Sequence, residues 1–139
     1  MRVNIDGKNL RGSKEPIKGK KALNIVSAWA SEQSVVLGQV RCEEKSNEIT
    51  AIPELLKILN IEGCIVTIDA MGCQTEIVEE IVDKGADYVI SLKGNQGILH
   101  QEIKDYLDWA ERIKFDGIKY DYYETSLEKD HGRIEQRRC

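Results

Sequence analysis

The chain has 139 residues, enough for one domain, residues 1–139, whose single core buries roughly two-thirds of the surface the unfolded chain exposes. Charged residues make up 32% and apolar residues 41%, and there are only two prolines; no apolar run approaches the ~18–20 residues of a membrane helix, so a membrane-spanning helix, a disordered tail and a fibrous repeat are all excluded. The net charge of −4 is unevenly spread, with seven Lys/Arg and two acids in residues 1–21 against thirteen Lys/Arg and twenty-two acids in residues 22–139; the acidic body argues against a dedicated nucleic-acid-binding module, whereas the basic arm leaves room for one phosphate-contacting surface.

Met1 leads straight into Val3-Asn4-Ile5-Asp6, a short strand with no signal-peptide pattern before it. Residues 7–21 are rich in Gly and Lys and read as a loop or hairpin connection. Residues 22–30 and 34–42 are strand-like runs, and Ser31-Glu32-Gln33 between them is short enough for a hairpin. Ile49, Ile52, Leu55, Leu56 and Leu59 mark one helical face. Pro53 fits only near that helix's first turn, which predicts a start about residue 50. Cys64-Ile65-Val66-Thr67-Ile68-Asp69 is a β-branched run expected to form a buried strand. Ile77, Val78, Ile81 and Val82 give a second helix, stopped by Gly85. Tyr88-Val89-Ile90-Ser91-Leu92 is another expected buried strand. Asn95 is placed to cap a third helix with Ile98, Leu99, Ile103, Tyr106 and Leu107 facing inward, and the stretch from Ile118 to Leu127, with Tyr120, Tyr122 and Tyr123, reads as a last strand. Trp29 and Trp109 are most simply core residues.

This order, β-β-β-α-β-α-β-α-β, predicts an α/β fold. Three strands with hairpin-length joints come first, and the αβ units that follow demand parallel pairing. A mixed sheet with helices on both faces fits. The ribonuclease H-like fold has this order, with the first strand central and parallel to the fourth. In that arrangement Asp6 and Asp69 end two neighbouring parallel strands and emerge at one sheet edge, a few ångströms apart. Two carboxylates there repel each other, which raises a pKa or recruits a cation; Mg²⁺ or another hard divalent ion is the usual partner of clustered carboxylate oxygens, and a pair of such ions serves phosphodiester cleavage. The plainer alternatives are a turn at Asp6-Gly7 and a helix cap at Asp69.

Cysteines 42, 64, 73 and 139 form no C-x-x-C pair and share no zinc spacing with His100 or His131; they read as reduced thiols of a cytosolic protein. The chain has neither G-x-G-x-x-G nor a P-loop. With residues 22–42 reading as a hairpin, a doubly wound phosphoacceptor or nucleotide-binding domain is disfavoured.

Five blocks resemble a known family. Asp6-Gly7-Lys8-Asn9-Leu10-Arg11-Gly12-Ser13 resembles the first catalytic motif of insertion-sequence DDE transposases of the ISAs-type group, which includes the H-repeat-associated proteins. Lys45-Ser46-Asn47-Glu48-Ile49 is similar to that group's next block, and Thr67-Ile68-Asp69-Ala70-Met71-Gly72-Cys73-Gln74 to its second-Asp motif. Asp87-Tyr88-Val89 with Leu92-Lys93-Gly94-Asn95-Gln96, then Asp130-His131-Gly132-Arg133-Ile134-Glu135 with Arg137, resemble the blocks that follow. The resemblance covers nearly the whole chain. It implies a ribonuclease H-like catalytic core for DNA transposition: Mg²⁺- or Mn²⁺-dependent cleavage and strand transfer of insertion-sequence ends, in a bacterial cytoplasm at the nucleoid, with DNA ends and target as partners and a homo-oligomer as a further expectation.

Under this resemblance Asp6 and Asp69 are the first two catalytic acids and the metal ligands. Glu135, the last acid of the chain and part of a family-like block, is the nominee for the third place, against an ordinary strand residue pairing with Arg133 or Arg137. The family's third Glu is expected in a later W-x-I-E-N helix, which the sequence lacks, so the chain reads as an incomplete catalytic core that is itself inactive; the alternative is a non-catalytic remnant that binds DNA or pairs with full-length transposase. Lys8, Arg11, Lys93, Asn95, His131 and Arg133 are candidate DNA contacts, with Lys14, Lys18, Lys20 and Lys21 as backbone-contacting or simply solvated lysines.

Overall fold

A computed structural model describes residues 1–13, 22–42, 48–121, 124, 128–130 and 133–135. The chain forms two compact units, residues 1–97 and 98–139.

The first unit is a five-stranded sheet. Its strands are β1 (Arg2–Leu10), β2 (Leu23–Ala30), β3 (Val35–Arg41), β4 (Ile65–Ile68) and β5 (Asp87–Ile90), in the order β3-β2-β1-β4-β5. β1, β2 and β3 pair antiparallel, whereas β4 pairs parallel to both β1 and β5. This is the ribonuclease H-like order, with the first strand central and beside the fourth. Two helices belong to the unit, α1 (Glu48–Ile58) and α2 (Thr75–Asp83).

Alternation along the strands decides which face is covered. Val3 and Ile5 of β1, Val26 and Ala28 of β2, and Val66 and Ile68 of β4 are buried. They share one hydrophobic cluster with Ala51, Ile52, Leu55 and Leu56 of α1 and Ile77 and Ile81 of α2. Each large aliphatic side chain buried there contributes on the order of 1.5–3 kcal/mol. The residues between them, Arg2, Asn4, Asp6, Trp29 and Ile65, lie exposed or half-buried on the other face.

Several expectations shift. β1 does not end at Asp6 but runs to Leu10, because β2 continues to pair with it as far as Leu10↔Leu23. α1 begins at Glu48, so Pro53 falls in its second turn and removes one helical N–H; the burial of Ala51, Ile52, Leu55 and Leu56 around it offsets that loss. β5 is an edge strand with Tyr88 and Val89 exposed rather than buried. Trp29 is 39% exposed, because its β2 position points away from the covered face. Other readings hold closely. The β2–β3 hairpin turns through residues 31–34. Gly85 stops α2 at φ +69°, and the Ala86 N–H bonds back to the Ile81 carbonyl in a left-handed cap. Cys42, Cys64 and Cys73 are free thiols.

The second unit holds α3 (Gly97–Arg112) and a hairpin of β6 (Glu128–Asp130) and β7 (Arg133–Glu135). Ile98, Leu99, Ile103, Tyr106 and Leu107 of α3 are exposed, and Ala110 is its buried residue. The stripe expected to face inward is thus left exposed. Trp109 is exposed too and stacks at a tilt on Tyr106, with centroids 5.6 Å apart. Residues 118–121 form no strand; of the expected 118–127 run, residues 122, 123 and 125–127 lie outside the described residues. No helix among the described residues is long and apolar enough to cross a membrane.

Candidate active site

The parallel register of β1 and β4 builds the site. Asn4 pairs with Thr67 and Ile5 with Ile68, and the ladder ends there. Asp6 and Asp69 are the next residue on each strand, so the two acids leave adjacent strands at the same level, where backbones lie ~4.7–4.9 Å apart. A polar chain locks this register two residues earlier. The Thr67 hydroxyl donates to the Asn4 Oδ1 (2.8 Å), and the Asn4 amide donates to the Ser31 hydroxyl (2.8 Å).

Asp6 is exposed and lies mid-strand, not in a turn. Asp69 does cap a helical turn: its Oδ1 accepts the Met71 N–H (3.0 Å) at the start of the 3-10 turn Ala70–Gly72. That bond engages one carboxylate oxygen and leaves the other available, so capping and ligation are compatible. The loop after Asp69 is tied from outside. The Asn95 amide donates to the Ala70 carbonyl (2.7 Å), and the Gln96 amide donates to the Cys73 carbonyl (2.6 Å). Asn95 thus sits inside the 3-10 turn Gly94–Gln96 and braces the second-Asp loop instead of capping α3, which starts at Gly97. Lys93 is the N-cap residue of that turn, exposed and without a side-chain cap bond.

On the uncovered face, Asn4, Asp6, Lys8, Ser27 and Trp29 line a cavity of about 340 Å³. Lys8 shares Asp6's side of β1, two residues on. Arg11 opens a 3-10 turn after β1. In the second unit, Glu135 and Arg133 lie on β7, where Glu135 pairs with Glu128 and Arg133 with Asp130. His131, Lys14, Lys18, Lys20 and Lys21 lie outside the described residues.

One acid near the pair was not singled out from the sequence. Glu48 is the first residue of α1, and its carboxylate lies against Gly7, where an added Cβ would overlap it. Burial, then the Asp69 and Asp6 carboxylates, push its carboxyl above the ordinary glutamate range. The signal for it was a glutamate at the opening of a helix that follows the hairpin, inside one of the family-like blocks. The donor set here is all carboxylate oxygen, which suits a hard divalent cation. Three metal-ligating side chains already gathered at one point are not found among the described residues.

Residues 2–138 match the family described as the transposase DDE domain. "Putative transposase YncI" of Escherichia coli (strain K12) is 49% identical over 135 residues, which is 97% of this chain and 53% of that protein. "H repeat-associated putative transposase YbfD" of the same strain is 44% identical over 135 residues, covering 97% of this chain and 52% of that one. The YncI of Escherichia coli O157:H7, also 49% identical, is covered over 34% of its length; the chain thus spans about a third to a half of these curated relatives. Among solved structures, a piggyBac transposase synaptic complex with hairpin DNA aligns with TM-score 0.49 and 13% identity, over 68% of this chain and 23% of that one.

Proposed function

The chain belongs to the transposase DDE domain family, and from that premise we propose that it supplies the first two acids of a metal-dependent DNA-cutting and DNA-joining centre for transposition of an insertion sequence. The observation that carries this reading is the parallel β1–β4 register, whose next residues are Asp6 and Asp69. These two carboxylates hold Mg²⁺ or Mn²⁺. When bound, such an ion polarises the scissile phosphate and helps to form and stabilise the attacking and leaving oxygens.

The chain's own residues do the positioning. Asp69 keeps one oxygen on the Met71 N–H, which leaves the other for the ion. Asn95 and Gln96 hold the loop that carries it. Lys8, on Asp6's side of β1 and lining the same cavity, neutralises a backbone phosphate beside the acids; Lys93 and Arg11 add phosphate contacts. Glu135 is the family-block acid proposed for the third place, and loss of cutting in Glu135→Gln is its test. Insertion-sequence ends and target DNA are the substrates.

The test is cleavage of a plasmid bearing the element's ends by the native-length protein, in Mg²⁺ and then Mn²⁺, beside an Asp69→Asn control. Cutting that the control lacks supports the reading. Equal cutting by the control overturns it.

A further inference from the structure

β2 presents Trp29 on the uncovered face of the sheet, 39% exposed, and strand pairing sets its place there. Trp29 lies opposite Asn4 of β1, and Ser27 lies opposite Asp6. On one face of an antiparallel pair the diagonal neighbour is ~7–8 Å away, within reach of an aromatic side chain. Trp29 is the diagonal neighbour of Asp6. The ladder is also irregular at this point: Ala28 pairs with Gly38 but Trp29 with Val36, which skips Leu37. A bulge of this kind twists the pair locally and is a common neighbour of active sites. Asn4, directly opposite, is held by both Thr67 and Ser31, so the strand position that faces the indole is fixed.

Trp29 lines the cavity of about 340 Å³ with Asn4, Asp6, Lys8 and Ser27, at the small end of the ~300–1,000 Å³ range of ligand clefts. The walls select the occupant. An apolar segment laid against Trp29 would bury Asp6 and Lys8 with it and strip water from two charges. A nucleotide matches every wall, with a planar base for the indole and a phosphate for the Lys8 ammonium. The Ser27 hydroxyl accepts from the Gln39 amide (3.0 Å), which leaves its own proton to donate to a base edge. A base inside a duplex is already stacked on both sides, so the base that fits here is an unpaired one. From the diagonal placement of Trp29 beside Asp6 and the mixed walls of this cavity, we propose that Trp29 is a stacking platform for an unpaired DNA base, that of the nucleotide whose phosphate meets Lys8 beside Asp6. The inference rests on the proposed DNA-cutting centre and narrows its substrate to a strand with an unstacked base, whichever base that is.

Trp109→Phe leaves Trp29 as the sole tryptophan. This variant is titrated at low salt in Mg²⁺ with a short single-stranded oligodeoxynucleotide, its blunt duplex, and an abasic single strand that keeps the phosphates and lacks the bases. Trp29 fluorescence reads stacking, and the anisotropy of labelled DNA reads affinity. The expected result is that the single strand quenches Trp29 and binds about fivefold more tightly than the abasic strand, while the abasic strand and the duplex leave the fluorescence unchanged. Trp29→Ala lowers single-strand affinity to the abasic level, Trp29→Phe keeps most of the difference, and Lys8→Gln weakens both strands alike. Absence of quenching, equal affinity for the single and abasic strands, or a preference that survives Trp29→Ala overturns the inference. So does a Trp29 shielded from hydroxyl-radical oxidation in the DNA-free native-length protein, because protein then fills the cavity. The plasmid assay with Asp69→Asn judges the cutting centre separately. If the control loses cutting and the base preference is absent, the centre stands and the Trp29 inference falls. If the control cuts normally, the centre falls, and the Trp29 inference falls with it as a statement about that centre.

Discussion

Replacing Asn95 and Gln96 together by Ala removes both ties between the Gly94–Gln96 turn and the loop after Asp69. The two bonds measure 2.7 and 2.6 Å and end on the Ala70 and Cys73 carbonyls, the first belonging to a buried residue. A neutral hydrogen bond contributes a net ~0.5–1.5 kcal/mol, and an acceptor left without a partner costs more. Water reaches the Cys73 side of the loop, since that residue is only half-buried, so the lower end of the range applies there. The double variant is expected to lose about 1.5–2.5 kcal/mol. For a chain this size that lowers the thermal midpoint by roughly 5–10 °C. The single variants should not simply add, because adjacent residues of one turn brace the same loop. Urea unfolding monitored by far-UV circular dichroism gives the energies, and Mn²⁺ titration of the folded variant reports on Asp69. The expected pattern is a stability loss together with a several-fold weaker Mn²⁺ interaction, as Asp69 loses its fixed direction. A double variant within 0.5 kcal/mol of the parent would refute the bracing role.

Three further outcomes follow from single contacts. Gly72→Ala places a methyl against the Ile68 side chain beneath the second-Asp loop and should cost roughly 1–3 kcal/mol by overpacking, read as a lowered urea midpoint at constant slope. Burial and the neighbouring Asp69 and Asp6 raise the Glu48 carboxyl above its ordinary 4.5; the folded chain therefore favours the protonated form, so in EDTA this group's stabilising contribution is complete below pH 4.5 and is lost as pH rises through the raised value, and Glu48→Gln should flatten the profile there. Burial, Glu48 and Glu54 push the Cys42 thiol up, so iodoacetamide at neutral pH should label Cys42 at least tenfold more slowly than half-buried Cys73, as peptide mapping by mass spectrometry will read.

The strand order was legible because two signals agreed. A three-residue joint forced an antiparallel hairpin, and helices between β-branched runs forced parallel pairing. The expected Asp6–Asp69 adjacency came from the ribonuclease H-like arrangement that this order fits, and the β1–β4 register agrees with it. What was not legible is what tertiary context decides. β1 outlasts Asp6 because β2 keeps pairing with it, and a Gly-Lys stretch gives no local sign of that. Trp29 was read inward on hydrophobicity, but strand alternation and the coverage of a single face put it outward. Asn95 looked like a cap because Asn before a helix usually is one; its partner, the Ala70 carbonyl, is twenty-five residues away in sequence. Glu48 escaped notice because a glutamate opening a helix is ordinary, and only the folded approach to Gly7 distinguishes it.

The central claim, that β1 and β4 deliver Asp6 and Asp69 to one divalent cation, is tested most directly by replacing that cation with Fe²⁺. Ascorbate and peroxide then generate hydroxyl radical at the bound iron, and the chain is cut where it lies closest. The account predicts paired cuts near residues 6–8 and 69–71, suppressed by excess Mg²⁺ and absent in Asp69→Asn. Cuts confined to α3, or cuts at 6–8 that persist in Asp69→Asn, would contradict it.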